Sequence, residues 1–322
     1  MAIILITGAT GFIGRNLTEY LLKNSNHRLV AAVRDTATAC LPAAVKLEQI
    51  EDITKKADWS TTLNGIDIVI HLAARAHFTS DNSSGPSSEL YRVNVKSTLN
   101  LARQAVEAGV KRFIVLSSIG VNGNSTTTPF TETDPPNPIE PYAASKLAAE
   151  QGLQQLSATS EMELTIIRPP LVYGPNAPGN FARLIYWVNM GIPLPFGSIQ
   201  NKRSLIAVEN LINLITICID HPGAANQLFV VCDGDDLSTT ELLNHIANSL
   251  NIRSRLLPVP PKLLVMGLKL LGKGGHARQL CCSLQIDHSK AQDLLGWTPP
   301  VTVGEGLAVA VKPIMGPGTK VH

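Results

Sequence analysis

The sequence predicts an α/β protein built on a doubly wound parallel sheet. Short, continuous apolar runs alternate with helix-period segments through the first half of the chain. Strands of that kind are expected where helices cover both sheet faces. A glycine-rich turn, Gly8-Ala9-Thr10-Gly11-Phe12-Ile13-Gly14, stands between the first run and the first helical segment. The 322 residues suffice for one large α/β unit with a smaller appended lobe.

The strand-like runs are Ile3–Thr7, Leu29–Val33, Ile66–His71, Phe113–Ser117 and Leu164–Arg168. Helical patterns lie between them at Ile13–Lys23, Tyr91–Ala108 and Tyr142–Ser157. Two stretches read as loops. Asp81–Ser88 is rich in Ser, Gly and Asn, and Thr126–Pro141 carries Pro129, Pro135, Pro136, Pro138 and Pro141. Proline cannot donate to a ladder and pushes its predecessor out of the helical region, so the second loop stays irregular until Pro141. Beyond Arg168 prolines punctuate the chain, followed by helical pieces at Val208–Asp220 and Thr239–Leu250 and a strand-like run at Gln227–Cys232. The expected division is a dinucleotide-binding domain over residues 1–169, its sheet completed by about 204–233, and a substrate lobe mainly over 170–322.

Composition narrows the function classes. Hydrophobic residues make up 44% and charged residues 16%, as in a globular protein. A formal net charge of +2 with no basic stripe of interleaved aromatics argues against nucleic acid as a partner. The five cysteines show no metal-ligand spacing, and their odd number suits a reducing, cytoplasmic setting rather than a disulfide framework. No signal-peptide pattern precedes the first strand-like run. Leu263–Leu271 is too short to span a bilayer and reads as a packed amphipathic helix. No metal site and no membrane span are expected.

The glycine turn points to a dinucleotide. One glycine makes the tight turn, one admits a pyrophosphate to the backbone, and one lets helix and strand pack closely. The helix N-terminus adds free N–H groups and the positive dipole end. The second strand leads into Arg34-Asp35. An acidic side chain there favours NAD and an arginine can meet a 2′-phosphate, so Arg34, coming first, leans the expectation from NAD towards NADP.

Tyr142 and Lys146 lie four apart, on one face of a helix starting at Pro141. A free tyrosine, with a pKa of about 10, is a poor base at neutral pH. A nearby ammonium and an oxidised nicotinamide favour its phenolate, which can then exchange a proton with a substrate hydroxyl. Lys146 is also placed to hydrogen-bond the nicotinamide ribose. Phe113–Ser117 delivers Ser117 and Ser118 to the C-terminal edge of the sheet, where ligands bind in open α/β folds, and Ser118 is placed to share the same substrate oxygen.

With these residues in view, the chain resembles the extended short-chain dehydrogenases/reductases of the nucleotide-sugar epimerase/dehydratase family. The resemblance rests on TGATGFIG at 7–14, HLAA at 71–74, VNV at 93–95, SSIGVNG at 117–123, PYAASK at 141–146, RPPLVYGP at 168–175, NKRSLIAVENL at 201–211 and LLGWTPP at 294–300. It implies a Rossmann-type doubly wound sheet with a smaller α/β C-terminal substrate lobe. It also implies Ser118, Tyr142 and Lys146 as the catalytic set. Cofactor contacts are implied at Gly8, Gly11, Phe12, Ile13, Gly14, Arg34, Leu72, Ala73, Ala74 and Pro169, with Asp52 and Ile53 at the adenine. Asn94 matches a bracing asparagine. Asn180, Arg203 and Arg278 fall where relatives grip the nucleotide diphosphate, a task that suits arginine. A homodimer through the Tyr91–Ala108 and Tyr142–Ser157 helices is implied too.

Two departures stand out. The turn after the serine reads Val121-Asn122-Gly123, with asparagine where relatives carry tyrosine. The acid–base pair that relatives catalysing 4,6-dehydration place directly after the serine or threonine is replaced by Ile119 and Gly120, which cannot move protons, so dehydration is not expected. The leading expectation is an NAD(P)-dependent 4-ketoreductase forming a UDP-N-acetyl-6-deoxyhexosamine for surface polysaccharide. The alternative is a UDP-hexose or UDP-N-acetylhexosamine 4-epimerase with tightly held NAD. A non-catalytic NAD(P) redox sensor is more distant, because such relatives usually lack the tyrosine and lysine. A sterol or flavonoid oxidoreductase is disfavoured, because an apolar substrate needs no diphosphate clamp.

Overall fold

The computed structural model describes residues 1–50, 53, 57–76, 86–270 and 280–315. Asp52 and Arg278 lie outside the described residues, so the adenine and second diphosphate contacts expected of them have no structural counterpart here. The main sheet holds seven parallel strands in the order β3-β2-β1-β4-β5-β6-β9. They are β1 (Ile3–Thr7), β2 (Arg28–Val33), β3 (Lys46–Gln49), β4 (Ile68–His71), β5 (Arg112–Leu116), β6 (Glu163–Arg168) and β9 (Gln227–Val230). A separate two-stranded parallel sheet joins β7 (Leu171–Tyr173) to β8 (Leu205–Ala207).

Side-chain alternation explains why these strands read as unbroken apolar runs. In β1, Ile4 and Ile6 enter one core while Leu5 enters the core on the opposite face. In β5, Ile114 goes one way and Phe113 and Val115 the other. With both faces buried, no polar alternation remains. The first core is closed by α1 (Phe12–Asn24) and α7 (Val208–Asp220), through residues such as Leu17, Leu21, Leu211 and Ile215. The opposite core is closed by α4 (Thr98–Glu107) and α5 (Pro141–Ala158), through Leu101, Ala105 and Leu153.

A further core lies under α6 (Asn180–Asn189), α8 (Thr239–Ser249) and the last helix, α11 (Val303–Met315), with Phe181, Ile185, Leu243, Ile246 and Leu307 at its centre. Tyr173 links this core to the end of the main sheet. Its hydroxyl donates to Asp233 Oδ2 at 2.8 Å, and Asp233 also accepts from the Ala207 amide and the Asn210 side chain. Burial pushes the Asp233 carboxyl up while those three donors pull it down.

The remaining elements are α2 (Ser60–Leu63), α3 (Pro86–Leu90), α9 (Pro261–Leu270) and α10 (Ser289–Leu295). Of the expected 81–88 loop, residues 81–85 lie outside the described residues, and 86–88 instead open α3, which starts at Pro86. Proline is well suited to the start of a helix, where its missing N–H needs no partner. Between α3 and α4 the chain makes a π-helical segment, Tyr91–Ser97, so the expected 91–108 helix is real but locally widened. Among the described residues no helix is long and apolar enough to cross a membrane, and no cluster of His, Cys, Asp and Glu could hold a metal.

Removing the Asp233 carboxylate strands three buried donors, whereas removing the Tyr173 hydroxyl strands one acceptor that keeps other partners. Asp233→Ala should therefore lower the unfolding free energy by roughly 3 kcal/mol or more, and Tyr173→Phe by only about 1 kcal/mol. Urea titration followed by far-ultraviolet circular dichroism measures both.

Candidate active site

The glycine turn packs without room to spare. Gly8 has φ +72°, and a Cβ there would sit 2.7 Å from the Ala73 amide nitrogen. A Cβ on Gly14 would sit 2.2 Å from the Gly8 carbonyl oxygen. The motif thus brings β1, β4 and α1 into backbone contact, which only hydrogen side chains permit. Gly11 caps α1 without any side-chain hydrogen bond, and the first turn carries no acidic residue. Its amides and the dipole end suit an anion such as a pyrophosphate. Leu72 and Ala73 are tied to Thr7 across the turn, by a Leu72 amide bond of 3.1 Å to the carbonyl and an Ala73 amide bond of 3.3 Å to Oγ1. Ala74 lies in the same irregular segment after β4.

His71 is buried between two hydroxyls, with Nδ1 2.8 Å from Thr7 Oγ1 and Nε2 2.8 Å from Thr98 Oγ1. Burial, helped by the charge of Lys146, pulls its pKa down to about 3, so it is a neutral brace. At the far end of the turn Arg34 and Asp35 are exposed beyond β2. The Asp35 carboxylate is occupied in its own turn, accepting from the Ala37 amide at 2.9 Å and from Thr38 Oγ1 at 3.0 Å. Ile53 packs against the α4–α5 core.

A cleft of about 510 Å³ opens along the C-terminal edge of the sheet. Phe12, Ile13, Ser118, Tyr142, Pro169, Asn180 and Arg203 all line it. Ser118 caps a 3₁₀ turn, Ile119–Val121, and its Oγ accepts from the Gly120 amide at 3.1 Å. The turn is held to the end of β6 by the Ile119 amide, 2.9 Å from the Pro169 carbonyl. Tyr142 stands in the first turn of α5, which opens on Pro141 after Glu140. Lys146, one turn further on, is buried and donates from Nζ to the Leu116 carbonyl at 2.7 Å. Burial pushes the Tyr142 phenol up to about 12 and pulls the Lys146 ammonium down to about 8, the latter against the opposing charge of Glu150.

Asn94 projects from the π-helical segment. It accepts from the Arg75 amide at 2.8 Å, and donates to the Arg75 carbonyl and to Ser145 Oγ, each at 3.0 Å. Ser145 in turn donates to the Tyr142 carbonyl at 2.7 Å. The brace therefore reaches the first turn of α5 through one hydroxyl.

Behind the cleft lies a buried network. Arg168 forms a two-point pair with Glu150, from Nε at 3.0 Å and from Nη2 at 2.5 Å. Its Nη1 donates to Asn122 Oδ1 at 2.8 Å, and Ser117 Oγ donates to Glu150. Asn122 completes its hydrogen bonding by donating to the Thr131 carbonyl at 3.1 Å. The asparagine that departs from the family pattern is thus a buried link in the floor of the Ser118 turn. Arg203 is largely buried, and its Nη1 donates to the Cys282 carbonyl at 3.1 Å. Burial lowers the affinity of its guanidinium for a proton.

Sequence reasoning missed Asn124, Glu140, Arg183 and Trp187, which also line the cleft. Asn124 Nδ2 donates to Glu140 Oε1 at 3.1 Å, and Arg183 donates to Asn180. The helical spacing of Asn180, Arg183, Leu184 and Trp187 was the available signal, since those positions share one face of α6.

A parallel seven-stranded sheet whose glycine turn suits a pyrophosphate, with Phe12 and Ile13 sharing a cleft with Ser118 and Tyr142, is the architecture of a dinucleotide-binding α/β protein. Residues 4–232 match the NAD dependent epimerase/dehydratase family, and the chain belongs to it. The chain is 44% identical over 306 residues to the UDP-glucose 4-epimerase of Vibrio cholerae, covering 94% of this chain and 92% of that one. It is 28% identical over 318 residues to the N-acetyl-alpha-D-glucosaminyl-diphospho-ditrans,octacis-undecaprenol 4-epimerase of Escherichia coli O157:H7, with coverages of 94% and 92%. Its fold is similar to that of UDP-glucuronic acid 4-epimerase from Bacillus cereus in complex with NAD, with a TM-score of 0.79, 22% identity, and coverages of 98% and 100%.

The lowered pKa of Lys146 has a measurable sign. Between about pH 8 and 10.5 the unfolded chain holds a proton that the folded chain has released, so Lys146 adds to stability as pH rises through that window. Comparing wild type with Lys146→Met, the difference in unfolding free energy should be flat below about pH 8. By pH 10.5 it should shift in favour of the wild type by roughly 3 kcal/mol. Chemical denaturation of both proteins across that range tests this.

Proposed function

We propose that the chain is an NAD-dependent 4-epimerase of a UDP-linked hexose or N-acetylhexosamine. The observation that carries the reading is one cleft lined by Ser118 and Tyr142 together with Asn180 and Arg203. Such a cleft suits a sugar held through its diphosphate. The two relatives named above are both called 4-epimerases, on different diphosphate carriers, and the first is 44% identical to this chain, which favours this reading over the 4-ketoreductase. The lack of an acid–base pair after Ser118 supports it against dehydration, since Ile119 and Gly120 occupy those positions.

In this reading Gly8, Gly11 and Gly14 admit the pyrophosphate, Leu72, Ala73, Ala74 and Pro169 flank the cofactor, and Asp52 and Ile53 hold the adenine. Bound there, NAD would supply a hydride acceptor and donor for C4, the chemistry that inversion at that carbon requires. Tyr142 takes the proton of the C4 hydroxyl and later restores it. Its phenol, at about 12 in the free protein, must be brought down for that task. The positive charges of Lys146 and of an oxidised nicotinamide act in that direction. Ser118 orients the same oxygen, and Asn180, Arg203 and Arg278 neutralise the diphosphate. Residues 1–169 serve the cofactor and 170–322 mainly the sugar nucleotide. The enzyme works as a cytoplasmic homodimer through the faces of α4 and α5.

The exposed Arg34 favours the second reading, an NADPH-linked 4-ketoreductase. Supplying UDP-glucose and UDP-N-acetylglucosamine without added cofactor, and UDP-4-keto-6-deoxy-N-acetylglucosamine with NADPH, separates the two. Appearance of the C4 epimers in the first arm supports the epimerase. Turnover in the second arm alone sinks it. Tyr142→Phe should cut turnover by roughly 10²- to 10⁴-fold while leaving the cofactor bound. UDP alone should raise the Tm of the wild type, and raise it less in Arg203→Ala.

A further inference from the structure

Among the described residues, helix α9 packs on one side only. Leu264 rests against the core beneath α6 and α8. Leu263, Met266 and Leu270, spaced i, i+3 and i+7, share an outward stripe and are 54%, 56% and 83% exposed. Three large apolar side chains in one row are unlike the scattered leucines of an ordinary surface. Lys262 and Lys269, seven apart and both exposed, run along one edge of the stripe, and the helix contains no Asp or Glu.

The apolar band continues beyond the helix. The Leu194 amide donates to the Arg255 carbonyl at 2.9 Å, and the Leu257 amide to the Leu194 carbonyl at 2.8 Å. This pairing sets the exposed Leu257 beside the end of α6, where Met190 and Ile192 are also exposed. Arg253 and Arg255 stand in the same segment. None of Arg253, Arg255, Lys262 and Lys269 makes an ion pair among the described residues. The sequence carries the same asymmetry. No Asp or Glu occurs between Glu241 and Asp287, a stretch that holds six Lys and Arg, although the whole chain balances 27 basic against 25 acidic residues.

The apolar row alone does not say what covers it, but the unpaired cations beside it do. We propose that α9 is a docking helix that lies in the headgroup layer of a negatively charged lipid bilayer. Leu263, Met266 and Leu270 enter the acyl boundary, and Lys262 and Lys269 meet the lipid phosphates. A second copy of this chain placed symmetrically on the stripe would bring like charges together, which opposes a subunit contact there. The docking goes beyond the catalytic reading and does not need it, since a soluble or a membrane-borne sugar diphosphate would leave the helix unchanged.

Sedimentation of the full-length protein with unilamellar vesicles tests this. The wild type should co-sediment with phosphatidylglycerol/phosphatidylethanolamine vesicles, stay in the supernatant with phosphatidylcholine vesicles, and be released by salt. Lys262→Gln and Lys269→Gln should each weaken binding on the order of fivefold. The triple variant Leu263→Ser/Met266→Ser/Leu270→Ser should abolish it while keeping the wild-type Tm, because these side chains are outside the core. Wild-type protein that ignores the anionic vesicles, or binding that the variants leave untouched, overturns the assignment. So does a light-scattering mass that halves in the triple variant, which would make the stripe a subunit contact.

Discussion

Glu150 and Arg168 meet where four pieces of the chain converge. Glu150 belongs to α5, two turns beyond Tyr142, and Arg168 closes β6. Through Ser117 and Asn122 the pair also holds the end of β5 and the 3₁₀ turn that presents Ser118. A buried ion pair is no guarantee of stability, because desolvation offsets most of its Coulombic gain. What this one supplies is position. The helix carrying the phenol and amine and the turn carrying the hydroxyl are referred to one rigid point behind the cleft. Leaving either charge unpaired would cost several kcal/mol, so the two elements are free to drift only at high energy.

Much of this architecture was legible in the sequence. The runs that became β1, β2, β4, β5 and β6 were readable because both faces of the sheet are buried, which leaves a continuous apolar signal. The glycine turn was readable because close backbone approach leaves no choice of residue. Strand β3, with sequence Lys-Leu-Glu-Gln at the sheet edge, was not, since one neighbour and a solvated face impose no pattern. The three-residue strands β7 and β8 are too short for periodicity to register.

The site divides the same way. Ser118, Tyr142, Asn180 and Arg203 stand in motifs legible in the sequence, and the fold gathers them along a single cleft. Arg183 and Trp187 carry only the signal of their helical spacing, and prolines and Gly179, whose φ of +77° starts α6 abruptly, mask the start of that helix. Asn122 was visible only as an oddity. Its meaning lies in Arg168, 46 residues away, and a contact of that separation leaves no local trace. The same holds for the drop in the Lys146 pKa, which comes from burial that only the folded chain creates.

The path of the chain through its sheets has a practical corollary. After β6 the backbone leaves to build the small β7–β8 sheet, then comes back to lay β9 beside β6, with Thr165 to Arg168 matched to Gln227 to Val230. A fragment severed near residue 170 would present β6 as a naked apolar margin, a template for sticking to other molecules. Neither half of this polypeptide is expected to behave as a tidy module when expressed by itself.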